Sequence, residues 1–233
     1  MLPDCSPRYK LTALLPMRHH SQRIPGKNYR EFAGKPLYRY VVDALLAAHH
    51  VSRVVIDTDS PVIRDDCRAT YGEEIILLER PEHLRAPEIS MNEILLNDMK
   101  QLGGEYFLQT HSTNPLLRAT TIDEAVMRFF TALERGECDS LFSVTRRQVR
   151  IWDADARPLN HDPAQLIQTQ DLAPFFEENS CLYLFSSEVF ARRENRIGVM
   201  PLMYEMDPME AVDIDEEADY RLAEALYLLR RDQ

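Results

Sequence analysis

The chain has 233 residues, of which 45% are hydrophobic and 28% charged, with a formal net charge of −11. Those proportions exclude a disordered chain and fit one domain, 1–233, with a buried core. The acidic balance argues against general binding of nucleic acid through phosphate neutralisation, yet it is compatible with a local basic pocket for a small anion. No apolar run reaches the ~18 residues needed to cross a bilayer, so no membrane partner is expected. The opening MLPDCSPRYK lacks the basic-then-apolar pattern of a signal peptide. Cys5, Cys67, Cys138 and Cys181 are scattered without a CxxC pair, which points to reduced thiols in a cytoplasmic protein.

Short apolar runs alternate with helical patterns along the chain. Lys10 to Leu15 reads as a strand, and Pro36 to His50 as a helix with proline near its start. Arg53 to Ile56 is a second strand, followed by a helix from Pro61 to Tyr71 that ends at Gly72. Glu74 to Leu78 is a third strand, and Ser90 to Leu102 a helix ending at Gly103 and Gly104. Glu105 to Gln109 is a fourth strand. The next helix runs from Thr120 to Arg135, with Thr120 or Thr121 as its cap. Ser140 to Thr145 is a fifth strand. Residues 146–179 then break the alternation with the single Trp152, three prolines and many polar side chains, and read as a lid or dimerisation arm. The pattern resumes at Cys181 to Phe185 and Leu202 to Met206, and closes on a helix from about Glu216 to Arg230. This alternation predicts an α/β sandwich with a largely parallel sheet, whose ligand binds beyond the carboxyl ends of the strands.

Four constellations follow strands. Pro16 to Asn28 is long for a βα connection, where 2–6 residues are usual, and it carries Arg18, Ser21, Arg23, Lys27 and Asn28. Basic side chains and free backbone N–H groups at that position suit phosphate oxygens, although the P-loop spacing is absent. Asp57-Thr58-Asp59 closes the second strand; it either orients a nucleotide or metal, or turns the chain into the next helix with Asp59 or Ser60 as cap. Gln109 to Arg118 gathers Gln109, His111, Ser112, Thr113, Asn114 and Arg118, a density of donors that suits a polyhydroxylated, charged ligand. Asp213 and Asp215 stand two apart, sharing a face in an extended segment as hard oxygen ligands for Mg²⁺. The alternative is an acidic helix start favoured by the macrodipole. The doublets His19-His20 and His49-His50 do not support a zinc site, and the latter reads as a helix end. Met200 to Met209 reads as core filler.

Taken together, these stretches resemble the acylneuraminate cytidylyltransferase family, the synthetases of CMP-sialic acid and related CMP-nonulosonates. Residues 16–28, PMRHHSQRIPGKN, are similar to the family's P-A-R-x-x-S-K-x-x-P-x-K-N signature, and Gly34 to Leu37 to its G-K-P-L. Asp57-Thr58-Asp59 stands where the family has S-T-D, and Arg80-Pro81 where it has R-P. Gln109 to Arg118 looks like an expanded L-Q-P-T-S-P-L-R, 178–183 resembles N-G-A-I-Y, and Val212 to Asp219 resembles the D-I-D-x-x-x-D ending. The resemblance implies a Rossmann-like nucleotidyltransferase fold that dimerises through a protruding arm. It implies transfer of CMP from CTP to a nine-carbon 2-keto sugar acid, with release of pyrophosphate and a requirement for Mg²⁺.

The resemblance implies that Arg18, Ser21, Lys27 and Asn28 hold the nucleotide, Gln109 the sugar, and Asp213 and Asp215 metal. Arg23, Asp59 and Arg80 are expected beside the nucleotide, and Ser112, Thr113, Arg118 and Gln170 beside the sugar. Lys27, Arg18 and Asp215 are the expected catalytic residues, with one Asp of the pair as candidate proton acceptor. Two positions depart from the pattern. Gln22 replaces the first-loop lysine, and Thr169 replaces an arginine that helps hold sugar in the family. The competing expectations are a transferase with another nucleotide or a 3-deoxy-octulosonate acceptor, or a non-catalytic binding homologue.

Overall fold

The structure, a computed structural model, describes residues 9–231. The first eight residues, with Cys5, lie outside them, as does the expected absence of a leader. Among the described residues a seven-stranded sheet has the order β5 (Ile75–Glu79), β4 (Arg53–Thr58), β1 (Leu11–Met17), β6 (Tyr106–Gln109), β8 (Phe175–Ser186), β7 (Ser140–Arg147), β9 (Pro201–Glu205). Six strands run one way, and β8 pairs antiparallel with both β6 and β7. The largely parallel α/β sheet expected from the sequence is therefore present. A two-stranded hairpin, β2 (Glu31–Phe32) with β3 (Lys35–Pro36), was not expected; Ala33 and Gly34 turn it with positive φ.

Helices cover both faces, and β1 shows why. All seven of its residues are buried, as the central strand of a parallel sheet requires. Leu11, Ala13, Leu15 and Met17 join a core with α1 (Leu37–Ala47), α2 (Pro61–Thr70) and α4 (Ala119–Glu134). Leu14 points the other way, into a core with α3 (Met91–Leu102) and α5 (Ser187–Arg193). A third cluster packs Ile24, Phe32, Leu37 and Tyr40 against Ile214 and Tyr220, which pins α6 (Glu217–Arg231) to the loop after β1.

Several boundaries differ from the sequence expectation for identifiable reasons. β1 runs on through Pro16 and Met17, which pair with Asp57 and Thr58 of β4. α4 begins at Ala119 rather than Thr120, and neither threonine caps it. Buried Glu210 does that work from a distance, its Oε2 accepting from the Arg118 N–H at 3.0 Å. α1 stops at Ala47, short of His49 and His50, whose backbone N–H groups donate to the Asp123 carboxylate. Ser60, not Asp59, caps α2. Ser90 and Glu93 form a capping box on α3. The short helix α5 was missed. Residues 175–179 belong to β8, paired with 144–147, so the excursion is rooted in a two-stranded extension of the sheet. Met200, Met203 and Met209 are exposed, and only Met206 of that run is core. Cys67, Cys138 and Cys181 are buried free thiols. Among the described residues no helix is long and apolar enough to cross a membrane.

Candidate active site

The loop after β1 and the segment before α6 meet at the carboxyl edge of the sheet. Gly26 starts a 3-10 turn over Lys27–Tyr29 with φ 66°, and a Cβ there would lie 2.7 Å from the Tyr29 ring. Only glycine fits, and the turn aims Lys27 at the 213–215 segment. Lys27 Nζ donates to the Ile214 carbonyl and lies 3.8 Å from Asp215 Oδ1. Its side chain is only 11% exposed. Burial pulls its ammonium below the ordinary lysine range, against the opposing pull of the Asp213 and Asp215 carboxylates.

Ile214 is the nail that fixes the acidic pair. It is fully buried in the third cluster, and its N–H donates to the Thr113 carbonyl at 2.9 Å. With Ile214 turned inward, Asp213 and Asp215 flank it. Burial raises the Asp213 pKa; a Thr113 hydrogen bond opposes this and the Asp215 charge adds to it. Asp213 Oδ1 is buried with no hydrogen-bond partner among the described residues. Asp215 Oδ1 accepts from Arg23 Nη2 at 2.5 Å, and both side chains remain substantially exposed. The helix-start role belongs to Asp219, whose Oδ2 accepts the N–H groups of Asp215 and Glu216 at 3.1 and 2.8 Å. A cavity of about 460 Å³ beside the pair is lined by Thr145, Asn179, Ser180, Asp213 and Asp219 among others.

Other expected nucleotide residues brace this arrangement. Asn28 is buried; its amide donates to the Arg18 carbonyl at 2.9 Å and its oxygen accepts from Ser112 Oγ at 2.9 Å. It thereby ties the first loop to the loop after β6. Arg18 donates to the carbonyls of Pro87 and Ile89. Ser21 Oγ accepts from the Ile24 N–H within the loop, and Asp59 Oδ1 accepts from the His19 N–H at 2.7 Å. His19 leans its ring on Tyr29 and bonds Ser60, which gives the doublet a packing role.

Three expected residues point elsewhere. Arg80 is 1% exposed and pairs with Asp57 at 2.9 Å, so its charge is neutralised inside the protein. Asp98 lies in the same buried group, and burial together with the Asp57 charge pushes its carboxyl up to about 8. Arg118 is held by Glu210 at the start of α4. Gln170, in the excursion, bonds Gln168 and Gln148 in its own segment.

Gln109 is fully buried at the end of β6, opposite Tyr183 in the β6–β8 register. Its Nε2 donates to the Thr110 carbonyl at 2.7 Å and lies 3.2 Å from His111 Nε2. Its Oε1 accepts from Arg196, a residue not singled out in the sequence, where it is one of several arginines in a charged stretch. Ser180, which stands where the resembled N-G-A-I-Y has glycine, adopts φ 58° beside the register shift of β7 and β8. Its Oγ accepts from the Tyr183 hydroxyl at 3.1 Å.

Residues 12–232 match the family model described as Cytidylyltransferase. The chain belongs to the cytidylyltransferase family. It is 26% identical over 224 residues to an N-acylneuraminate cytidylyltransferase of Escherichia coli, covering 93% of this chain and 52% of that one. It is 28% identical over 227 residues to N-acylneuraminate cytidylyltransferase A of Danio rerio, covering 92% of this chain and 50% of that one. The chain thus spans about half the length of the curated relatives it matches. A solved CMP:2-keto-3-deoxy-manno-octonic acid synthetase complexed with CTP superposes with a TM-score of 0.69 at 15% identity. That alignment covers 96% of this chain and 100% of the other, and establishes the Rossmann-like nucleotidyltransferase fold. Within this cytidylyltransferase fold, the basic first loop and the Asp213–Asp215 pair meet at the strand ends where the doubly wound architecture places ligands.

Proposed function

We propose that this cytidylyltransferase transfers CMP from CTP to a hydroxyl of a nonulosonic, sialic-acid-like 2-keto sugar acid, releasing pyrophosphate. The observation that carries the reading is the contact of Lys27 and Arg23 with Asp215, next to buried Ile214 and Asp213. Cations for a triphosphate and carboxylates for its metal are held within one hydrogen-bonded unit.

The residues present fit Mg²⁺. Hard carboxylate oxygens suit that ion, and Asp213 Oδ1 is a buried acceptor lacking a protein donor. Asp213 and Asp215 would hold it. When bound, Mg²⁺ would neutralise charge on the phosphate oxygens. The acceptor hydroxyl oxygen forms a bond to the α-phosphorus as its proton passes to a carboxylate of the Asp213–Asp215 pair, and the bond to the bridging oxygen of pyrophosphate breaks. Lys27 holds negative charge through that step from a water-poor position, where its ammonium acts more strongly than in bulk solvent. Arg23, exposed beyond Asp215, exchanges the carboxylate for phosphate oxygens as the nucleotide enters. Asn28 and Ser112 keep the nucleotide loop and the acceptor loop in fixed register, which is the positioning on which phosphoryl transfer depends.

The similarity to N-acylneuraminate cytidylyltransferases supports a nine-carbon acceptor. The octonic acid synthetase neighbour favours the second reading, an eight-carbon 3-deoxy acid on the same machinery. Buried, unpaired thiols suit a reducing cytoplasmic setting. A homodimer through 146–179 belongs to the same proposal, because Trp152, Leu166, Phe175 and Phe176 expose apolar surface there. Pyrophosphate release from each of the four nucleoside triphosphates, measured across eight- and nine-carbon 2-keto sugar acids, tests the reading.

A further inference from the structure

Arg196 lies in the connection between α5 and β9, outside the motifs that carry the family resemblance. Its guanidinium carbon lies over the Tyr183 ring, 3.6 Å from the centroid, and the guanidinium donates to Gln109 Oε1. Among the described residues it forms no ion pair. Glu178 acts on it electrostatically, but the Glu178 carboxylate is bonded to the Tyr183 hydroxyl. Burial pulls the Arg196 pKa below the ordinary arginine range, against the opposing pull of Tyr183 and Glu178.

Arg196 sits against the carboxyl end of β6, where the loop after that strand begins. Gln109 and Tyr183 are register partners at the carboxyl end of β6. His111, bonded to Gln109, is pushed down to about 4 by burial, then by the charges of Arg196 and Lys27. The loop that follows Gln109 also reaches the acidic pair: Ser112 Oγ donates to Asn28, and the Thr113 carbonyl accepts from the Ile214 N–H. The triphosphate already has cations from the first loop. Arg196 instead reaches the site through Gln109, the residue expected to hold the acceptor, and Thr169 leaves that acceptor without its expected arginine.

We propose that Arg196 binds the carboxylate of the acceptor sugar acid, supplying from the α5–β9 connection the cation that position 169 does not. The inference rests on the 2-keto sugar acid reading above. The guanidinium fork matches a carboxylate with two parallel donors, and the Tyr183 ring and Gln109 hold that fork in place before the acceptor arrives.

The test pairs a protein change with a ligand change. In Arg196→Gln, the KM for the acceptor acid rises about thirtyfold or more, equivalent to about 2 kcal/mol, while the Kd for CTP stays within twofold. Wild type loses a similar factor when the acceptor is offered as its methyl ester, and Arg196→Gln loses nothing further with the ester. Arg196→Lys, which keeps the charge but not the fork, falls between. Thermal melting checks each variant, and if the glutamine variant does not fold, the lysine variant and the wild-type ester comparison decide. An unchanged acceptor KM, a CTP Kd that weakens in step, or a variant that still prefers acid to ester overturns the assignment. So does a wild type that accepts ester and acid equally. Wild type that releases no pyrophosphate from CTP with any 2-keto sugar acid overturns the functional reading itself, and this inference with it.

Discussion

Removing the Lys27 ammonium tests how the first loop and the acidic pair work together. In Lys27→Ala the Asp213–Asp215 pair loses the cation that lies 3.8 Å from Asp215 Oδ1. At that separation the pair attraction is about 4 kcal/mol for an effective dielectric of about 20. Asp215 is 46% exposed, so solvent screening cuts that gain heavily. Lys27 is also desolvated, which offsets much of the remainder. The free protein should therefore melt within a few degrees of wild type. The nucleotide complex behaves differently, because a triphosphate brings negative charge to a buried ammonium. Losing a charge-assisted contact there costs about 1.5–3 kcal/mol, a roughly ten- to hundredfold weaker CTP Kd. Titration calorimetry with CTP and Mg²⁺ reads the affinity, and a thermal melt without nucleotide reads the fold. Gln22→Ala serves as the neutral control and should shift affinity by less than about threefold. Unchanged CTP affinity in Lys27→Ala would refute the assignment of the triphosphate to this loop.

Asp213→Asn removes a buried charge that has an unpaired oxygen, so the free protein should be as stable as wild type or more so. Its Mg²⁺-dependent turnover should fall at least about a hundredfold; wild-type turnover, or a marked loss of melting temperature, would contradict the metal role. Asp98 carries a folded-state pKa of about 8, above its ordinary value of 3.8. Its contribution to stability is complete below about pH 4 and is lost as pH rises through 8. Asp98→Asn, which copies the protonated form, should match wild type at about pH 3.5 and melt increasingly higher up to about pH 9; an equal difference at both ends would show that the carboxyl does not titrate there. Sedimentation at micromolar concentration should give a dimer, and deleting 150–167 from the excursion should give a monomer. A monomeric full chain would remove the arm from the account.

The parts of this fold that were legible in the sequence are those written in local periodicity. Two-sided burial makes β1 and the 54–56 stretch of β4 largely apolar runs, and glycines close α2, α3 and α4 where the sequence puts them. What escaped depends on partners far along the chain. Glu210 caps α4 from 92 positions away from Arg118, so no local cap signal exists. The hairpin after the first loop and helix α5 are too short to show a period. The root of the excursion was hidden because Phe175 and Phe176 alternate with nothing; their strand is defined by pairing with β7.

The candidate site divides the same way. Lys27, Asp213 and Asp215 converge because Gly26 and Ile214 impose local geometry that their neighbours in sequence announce. Motif and spacing mark Arg80 and Arg118 as ligand cations, but they cannot reveal the buried acid each one meets, Asp57 for one and Glu210 for the other. Arg196 shows the reverse case, an arginine in a charged surface-like stretch that the fold turns inward onto Tyr183.

The measurement that bears most directly on the central claim is pyrophosphate release by the purified full chain with CTP, Mg²⁺ and a nine-carbon 2-keto sugar acid. The account predicts turnover that requires all three components, yields a CMP-sugar, and falls sharply when ATP, GTP or UTP replaces CTP. Release that is absent with every 2-keto sugar acid, while CTP still binds, would contradict it and leave a nucleotide-binding protein on a transferase fold.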